Sequence, residues 1–196
     1  HAISNWMPSR KCWTAGAPPA APASYVEASF RAAAGVPYRI WIRMRAAGNA
    51  WTNDSVFVQF SGSVTPSGAS TNRIGTTQGM IMFLEDGNSA GLSGWGWGDN
   101  GFGTPGTPVY FNNDGLHRIR ILQREDGVRI DQIVISAGTY ADRAPGAEKN
   151  DSTMVPVFAP GVVAPHTYRY AGAFPVTLTI RDGSTTGLAV TYATIK

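Results

Sequence analysis

An all-β fold is predicted by three features of this 196-residue sequence: a turn-rich, charge-poor composition, four Asp-Gly dipeptides, and apolar residues that alternate with polar ones. Gly 23, Pro 13 and a charged fraction of 15% suit many short strands and turns rather than helices built on Glu, Lys and Leu. Asp-Gly tolerates the positive φ of a tight turn. Asp86-Gly87, Asp114-Gly115, Asp126-Gly127 and Asp182-Gly183 each stand beside an apolar run, so antiparallel strands joined by tight turns are expected.

The first two dozen residues carry little strand pattern, and residues 15–23, with three prolines, read as an extended arm. A strand is expected at residues 25–30. Over 37–45, Tyr38, Ile40, Ile42 and Met44 alternate with Arg39, Trp41, Arg43 and Arg45, the period of a half-buried strand. One face goes to the core; the other reads as a solvated face with arginine stacked on Trp41. Further strands are expected at 55–60, 80–85, 116–124 and 128–136, the last two forming a hairpin around Asp126-Gly127. No amphipathic helix interrupts residues 20–140, which argues for a two-sheet sandwich. Residues 139–160 form a break, with Pro145-Gly146, a polar run at 148–153, Pro156 and Pro160, and the domain boundary is placed between Tyr140 and Pro160. Beyond it Phe174, Val176, Leu178 and Ile180 alternate with polar residues, and Asp182-Gly183 turns into Leu188, Val190 and Tyr192. That is one more hairpin.

The single Cys12 excludes an intrachain disulfide framework and a Cys-based zinc cluster. The net charge of +3 is scattered along strands with no basic run, which gives no footprint for nucleic acid. No stretch approaches the ~18 apolar residues of a membrane span. A first residue of His1 rather than Met fits a processed or partial chain.

Taken together, GVPYRIWIRMRA, NAWTNDSVFVQF, GLSGWGWGDNGFG and HRIRILQREDGVRIDQIVIS resemble bacterial secreted modules of the galactose-binding-like jelly-roll type, whose kin are carbohydrate-binding modules of polysaccharide-degrading enzymes. The resemblance covers roughly residues 25–153. It implies a secreted or cell-surface, calcium-supported jelly-roll β-sandwich that binds a polysaccharide or glycan through loops at one end. The end of the chain, PHTYRYAGAFPVTLTIRDGSTTG, looks like the second half of a polycystic-kidney-disease-type (PKD), immunoglobulin-like domain. The expected organisation is an arm over 1–24, the sandwich over 25–153 and a partial immunoglobulin-like β segment over 154–196.

Sugar recognition needs flat apolar surfaces for the C–H faces of a pyranose and short polar groups for its hydroxyls. Trp95, Trp97, Asp99 and Asn100 offer both within six residues, although either indole serves equally well as a plug for the end of the sandwich. Trp51 and Asn53 precede a strand, and Arg124, Glu125 and Asp126 sit at a turn, so these clusters are expected to meet the first around a glycan. Ordinary turn chemistry is the plainer reading of Asn53 and Asp126. The resemblance also implies a structural calcium ion, for which Glu27 and Asp131 offer hard oxygen ligands; no Asp-rich loop accompanies them, and paired carboxylates are the plainer reading.

Asn53-Asp54-Ser55 and Asn150-Asp151-Ser152 match the glycosylation sequon. His1 suggests terminal copper chelation, but only His117 and His166 remain to assist it, and neither is placed for it. A hydrolase would show a paired acid and base, a nucleophile elbow or a metal cluster; Glu125 and Asp126 are adjacent and would point to opposite faces of a strand. The expectation is a non-enzymatic binder. The rival is a fibre or adhesin subunit, assembled with neighbouring copies by strand addition and with the Pro-rich arm as donor.

Overall fold

The computed structural model describes residues 16–85, 87 and 91–156 in full, with the backbone of two further strands at 172–182 and 185–195. His1, Cys12, Asp86 and His166 lie outside the described residues. The fold is all-β. Its strands are β1 Val26–Ala32, β2 Arg39–Arg45, β3 Ser55–Phe60, β4 Ser63–Val64, β5 Met80–Phe83, β6 Gly96–Gly98, β7 Tyr110–Phe111, β8 Gly115–Gln123, β9 Arg129–Ser136, β10 Gly172–Asp182 and β11 Thr185–Ile195. Two short 3-10 turns, Ala47–Asn49 and Trp51–Asn53, link β2 to β3.

One antiparallel sheet has the order β1-β8-β3-β5 and the other β6-β2-β9. Tyr38 bridges to Val109, and β7 pairs with β4. Because β6 meets β2 at residues 42–44 and Val109 meets it at Tyr38, β6 and β7 are two pieces of one strand, interrupted by an excursion over 99–108. Ile40, Ile42 and Met44 from one sheet meet Val56, Val58, Phe60, Ile119 and Ile121 from the other. Phe30, Phe60 and Phe111 pack edge to face at 5.4–6.4 Å, the geometry that the ring quadrupole favours.

Each expected strand of the first 136 residues is present, but the connections differ. The strands flanking Asp126-Gly127 do not form a hairpin: β8 pairs with β1 and β3, and β9 with β2, in the opposite sheet. The turn is a corner between layers. Asp114-Gly115 likewise leads from β7 into β8 without pairing them. At Asp182, by contrast, β10 and β11 pair in register from Asp182 with Thr185 to Gly172 with Ile195, a hairpin as expected. A turn dipeptide fixes a reversal of direction; which strand lies alongside depends on where the apolar faces must be buried.

The Trp41 face of β2 is not solvated. Residues 138–156 cross it as a strap, and Trp41 and Arg43 are buried beneath them. Trp41 Nε1 donates to the Tyr140 carbonyl at 2.8 Å, and Arg39 Nε to that of Ala141 at 3.1 Å. Trp41, Trp97, Val134 and Val155 form a second apolar cluster under the strap. The strap also pairs with β6, since Trp97 N donates to the Ala147 carbonyl and Asp151 N to that of Trp95. Arg43 lies over the ring of Trp95, at 5.2 Å, rather than on Trp41.

The outer face of the larger sheet is covered too: Pro18 of the arm lies by Gly79 and Phe57, and Tyr25 and Ile81 pack against Phe57 and Leu122. This explains why all six residues of β3 are buried.

The strap and the sheet edges approach so closely that β6 has no room for side chains at two positions. A Cβ on Gly96 would lie 1.7 Å from the Glu148 carbonyl oxygen, and one on Gly98 1.8 Å from that of Phe83. Both obstacles are backbone. Gly96→Ala and Gly98→Ala are each expected to destabilise the protein by about 2–3 kcal/mol, the upper end for overpacking. Thermal denaturation tests this; an unchanged midpoint for either variant would show that the strand edge has slack.

Candidate binding cleft

Strand register brings the ends of six strands together: Arg45 lies opposite Arg129, Met44 opposite Gly96, Ser55 opposite Phe83 and Val56 opposite Gln123. The loops bearing Trp51, Trp95 and Arg124 to Asp126 therefore share one end of the sandwich, as the sequence reading expects. Gly94 N donates to Asn49 Oδ1 at 3.1 Å, which ties two of these loops directly.

Most of the polar groups at that end serve the fold. Glu125 is buried, and its Oε2 accepts from the backbone N–H of Asp54 and Ser55, each at 3.0 Å, while Oε1 pairs with Arg124 Nη1 at 2.7 Å. Arg124 also donates to Ser55 Oγ. Together they fasten the β8 end to the start of β3, so neither side chain is presented outward as a sugar contact. Asn53 Nδ2 donates to the Ala47 carbonyl at 3.3 Å within its own loop, the plain turn reading. Asp126 is half-buried. Trp51 alone among the candidate indoles is freely open, at 68% exposure.

The tract at 95–100 is not an open loop. Trp97 is 1% exposed and donates from Nε1 to Asp151 Oδ1 at 3.1 Å, so its faces are packed against protein. Trp95 is half-buried under Arg43. Asp99 braces the excursion, its Oδ1 accepting from Gly101 N at 2.7 Å and its Oδ2 from Gly106 N at 2.8 Å, with Arg39 Nη1 3.6 Å away. Asn100 Nδ2 donates to both the carbonyl and Oγ1 of Thr107, at 3.1 Å. These two residues hold a loop in shape.

The calcium candidates lie in different sheets and are paired with arginine. Glu27 on β1 accepts from Arg118 Nη1 at 2.7 Å and Arg120 Nε at 2.8 Å. Asp131 sits at the irregularity where β9 shifts register against Arg43 and Met44, and pairs with Arg43. Bulges re-aim a side chain in just this way. Among the described residues no group of three or more His, Cys, Asp or Glu is placed to hold a metal ion.

A buried carboxyl pair stands beside this end. Burial lifts the Asp54 carboxyl from 3.8 to about 7, helped by the charge of Glu125 and a hydrogen bond to it and by the charge of Glu85, against the Glu85 N–H that donates to Asp54 Oδ2 at 2.8 Å. Burial likewise lifts Asp131 to about 6 against the pull of Arg43.

Next to Glu85 a cleft of about 160 Å³ opens along the edge where β5 and β6 meet. Phe83 N donates to the Asp99 carbonyl at 2.9 Å, and this bond closes the edge of the sandwich. Half-buried Phe83 and the buried Trp41 and Trp97 line its apolar side, Glu85, Glu148 and Arg143 contribute charge, and Gly101, Gly103, Thr104 and Pro105 of the excursion form one side. A second cavity, larger at about 290 Å³, lies among Val64, Thr65, Asn72, Met80, Thr107 and Tyr110. It has no charged wall. The smaller cleft combines an apolar side with convergent charged groups, which is what orients a small ligand. Sequence reasoning missed Glu85, Arg143 and Glu148, because the last two fall in an aperiodic stretch and nothing local ties them to Glu85.

The class of molecule so defined is an antiparallel β-sandwich with a carboxylate-bearing cleft at one edge. No family model matches the sequence, and no curated protein or solved structure matches it. No helix among the described residues is long and apolar enough to cross a membrane.

Proposed function

We propose that this protein is a non-catalytic carbohydrate-binding module of a secreted or cell-surface protein, with a jelly-roll sandwich that takes a sugar residue in the cleft between Glu85, Arg143 and Glu148. One observation carries the reading: carboxylates and a guanidinium line a preformed cavity beside the half-buried ring of Phe83. The volume of about 160 Å³ is below the ~300–1,000 Å³ of drug-sized sites, which suits one terminal or protruding residue of a glycan rather than a chain lying in a groove. Glu85 and Glu148 supply acceptors for hydroxyl groups, and Arg143 supplies donors. The rival fibre reading draws less support, because Pro18 of the supposed donor arm is buried beside Phe57 of its own sheet.

A glycan array on the wild type, on a Glu85→Ala/Arg143→Ala variant and on Trp51→Ala tests the reading. Wild-type binding that falls by at least about tenfold, or 1.4 kcal/mol, in the double variant and persists in Trp51→Ala is the expected result. Loss confined to Trp51→Ala would move the site to the loop end, and no binding by a folded wild type would remove the carbohydrate reading altogether.

A further inference from the structure

We infer that the larger cavity, of about 290 Å³, is a second and separate site that takes one uncharged sugar residue. The class of ligand rests on the carbohydrate reading above, whereas the site owes nothing to the cleft. Strand register puts it in the half of the sandwich away from Trp51, since Val109 meets Tyr38 and Met80 meets Val58. Thr104 and Pro105 of the excursion line the cleft, and Thr107 and Pro108 line the cavity. Thr71, Asn72 and Tyr110 also line it and are half-buried, and among the described residues none of these three side chains has a hydrogen-bond partner. They offer donors and acceptors alike. Behind them the buried lining is apolar, from Val64, Met80 and Val109.

The free groups are held in place by backbone. Phe60 N donates to the Asn72 carbonyl at 2.8 Å and Ile74 N to that of Phe60 at 3.1 Å, Tyr110 pairs with Val64, and Asn100 fixes Thr107. Asn72 itself is left-handed, at φ 48°. Glycine takes that conformation with least strain; asparagine tolerates it and adds an amide to the wall. Such preorganisation lowers the cost of binding. No Asp, Glu, His, Lys or Arg lines the cavity, so an ion entering it would give up water for no counter-charge. A hydrocarbon would strip water from Thr71, Asn72 and Tyr110 without replacing its hydrogen bonds. A neutral pyranose meets both conditions, with a C–H face for the apolar lining and hydroxyls for the three free groups. The volume is close to the ~300 Å³ at which small-molecule sites begin.

NMR of the isotope-labelled protein, titrated with the methyl glycosides of glucose, galactose and mannose and with glucuronate and glucosamine, decides this. At least one neutral glycoside is expected to shift the Asn72 side-chain amide and the backbone signals of Thr71 and Thr107. It should bind there at least about tenfold more tightly than either charged sugar. The double variant Asn72→Gly/Tyr110→Phe keeps the left-handed backbone and the ring but removes the amide and the hydroxyl, and should weaken that binding by about tenfold or more. Silence at Thr71, Asn72 and Thr107 with every neutral glycoside would overturn the inference. So would an equal response to a charged sugar, or unchanged affinity in a folded double variant. A glycan array that still shows binding through Glu85 and Arg143 would then leave the carbohydrate reading in place, whereas a blank array with no shifts anywhere would overturn both.

Discussion

Trp97→Ala is expected to destabilise the protein by about 3–5 kcal/mol, the range for removing a fully packed aromatic side chain. The indole is 1% exposed and packs with Trp41, Val134 and Val155 between β2, β9 and the strap. Its loss leaves a cavity and deprives Asp151 Oδ1 of the Nε1 donor. Asp151 cannot simply turn to water, since it also holds Ala147 N at 2.8 Å, Thr153 N at 2.8 Å and Arg43 at 3.6 Å. Against a total stability of about 5–15 kcal/mol, the change removes a large share. At about 2–4 °C per kcal/mol for a chain of this size, the midpoint should drop by roughly 6–20 °C. Trp51→Ala, at an exposed site, should stay within about 0.5 kcal/mol of the wild type. A Trp97→Ala protein that melted with the wild type would show that the strap does not pack as described.

The second large effect concerns pH, and its sign is opposite to ordinary acid denaturation. Asp54 has a folded pKa of about 7 against 3.8 for the free group, so between those values the folded protein holds a proton that the unfolded chain has released. Stability from this group therefore rises as pH falls from about 8 and levels off near pH 4, where the unfolded chain is protonated as well. Asp131, at about 6, acts in the same direction over the lower part of that window. Asp54→Asn imitates the protonated acid, because an amide oxygen can still accept from Glu85 N and the NH2 can donate to Glu125. At about pH 8 the variant should be more stable than the wild type, and the difference should vanish towards pH 4. Denaturant melts of both proteins across this range provide the measurement; a variant less stable at about pH 8 would mean that the ionised carboxylate is the form the fold prefers.

Some of this was legible in one dimension. Strands β2, β3, β8 and β9 lie within a residue or two of where alternation and turn chemistry put them, because a strand's faces repeat every second residue whatever its neighbours are. Asn53 capping its own loop followed from local chemistry in the same way. β6 escaped notice because a Gly-Trp-Gly run has strand propensity only at its centre; what makes it a strand is the strap along one edge and β2 along the other. The Trp95 to Asn100 tract looked like a sugar platform for the same reason. Aromatic and short polar residues among glycines suit an exposed loop and a crowded sheet edge alike.

The all-β class and the main strands were legible in the chain alone, since these follow from period-2 patterning and turn residues acting over a few positions. Which faces stay open was settled by the assembled fold. Burial of Trp41, Arg43 and Trp97 depends on residues 138–156 returning across β2 and β6, and the cleft depends on Glu85, Arg143 and Glu148 converging from separate segments. Exposure is a property of what lies on top of a residue, and contacts between residues some fifty or a hundred positions apart leave no local signal in the chain that makes them.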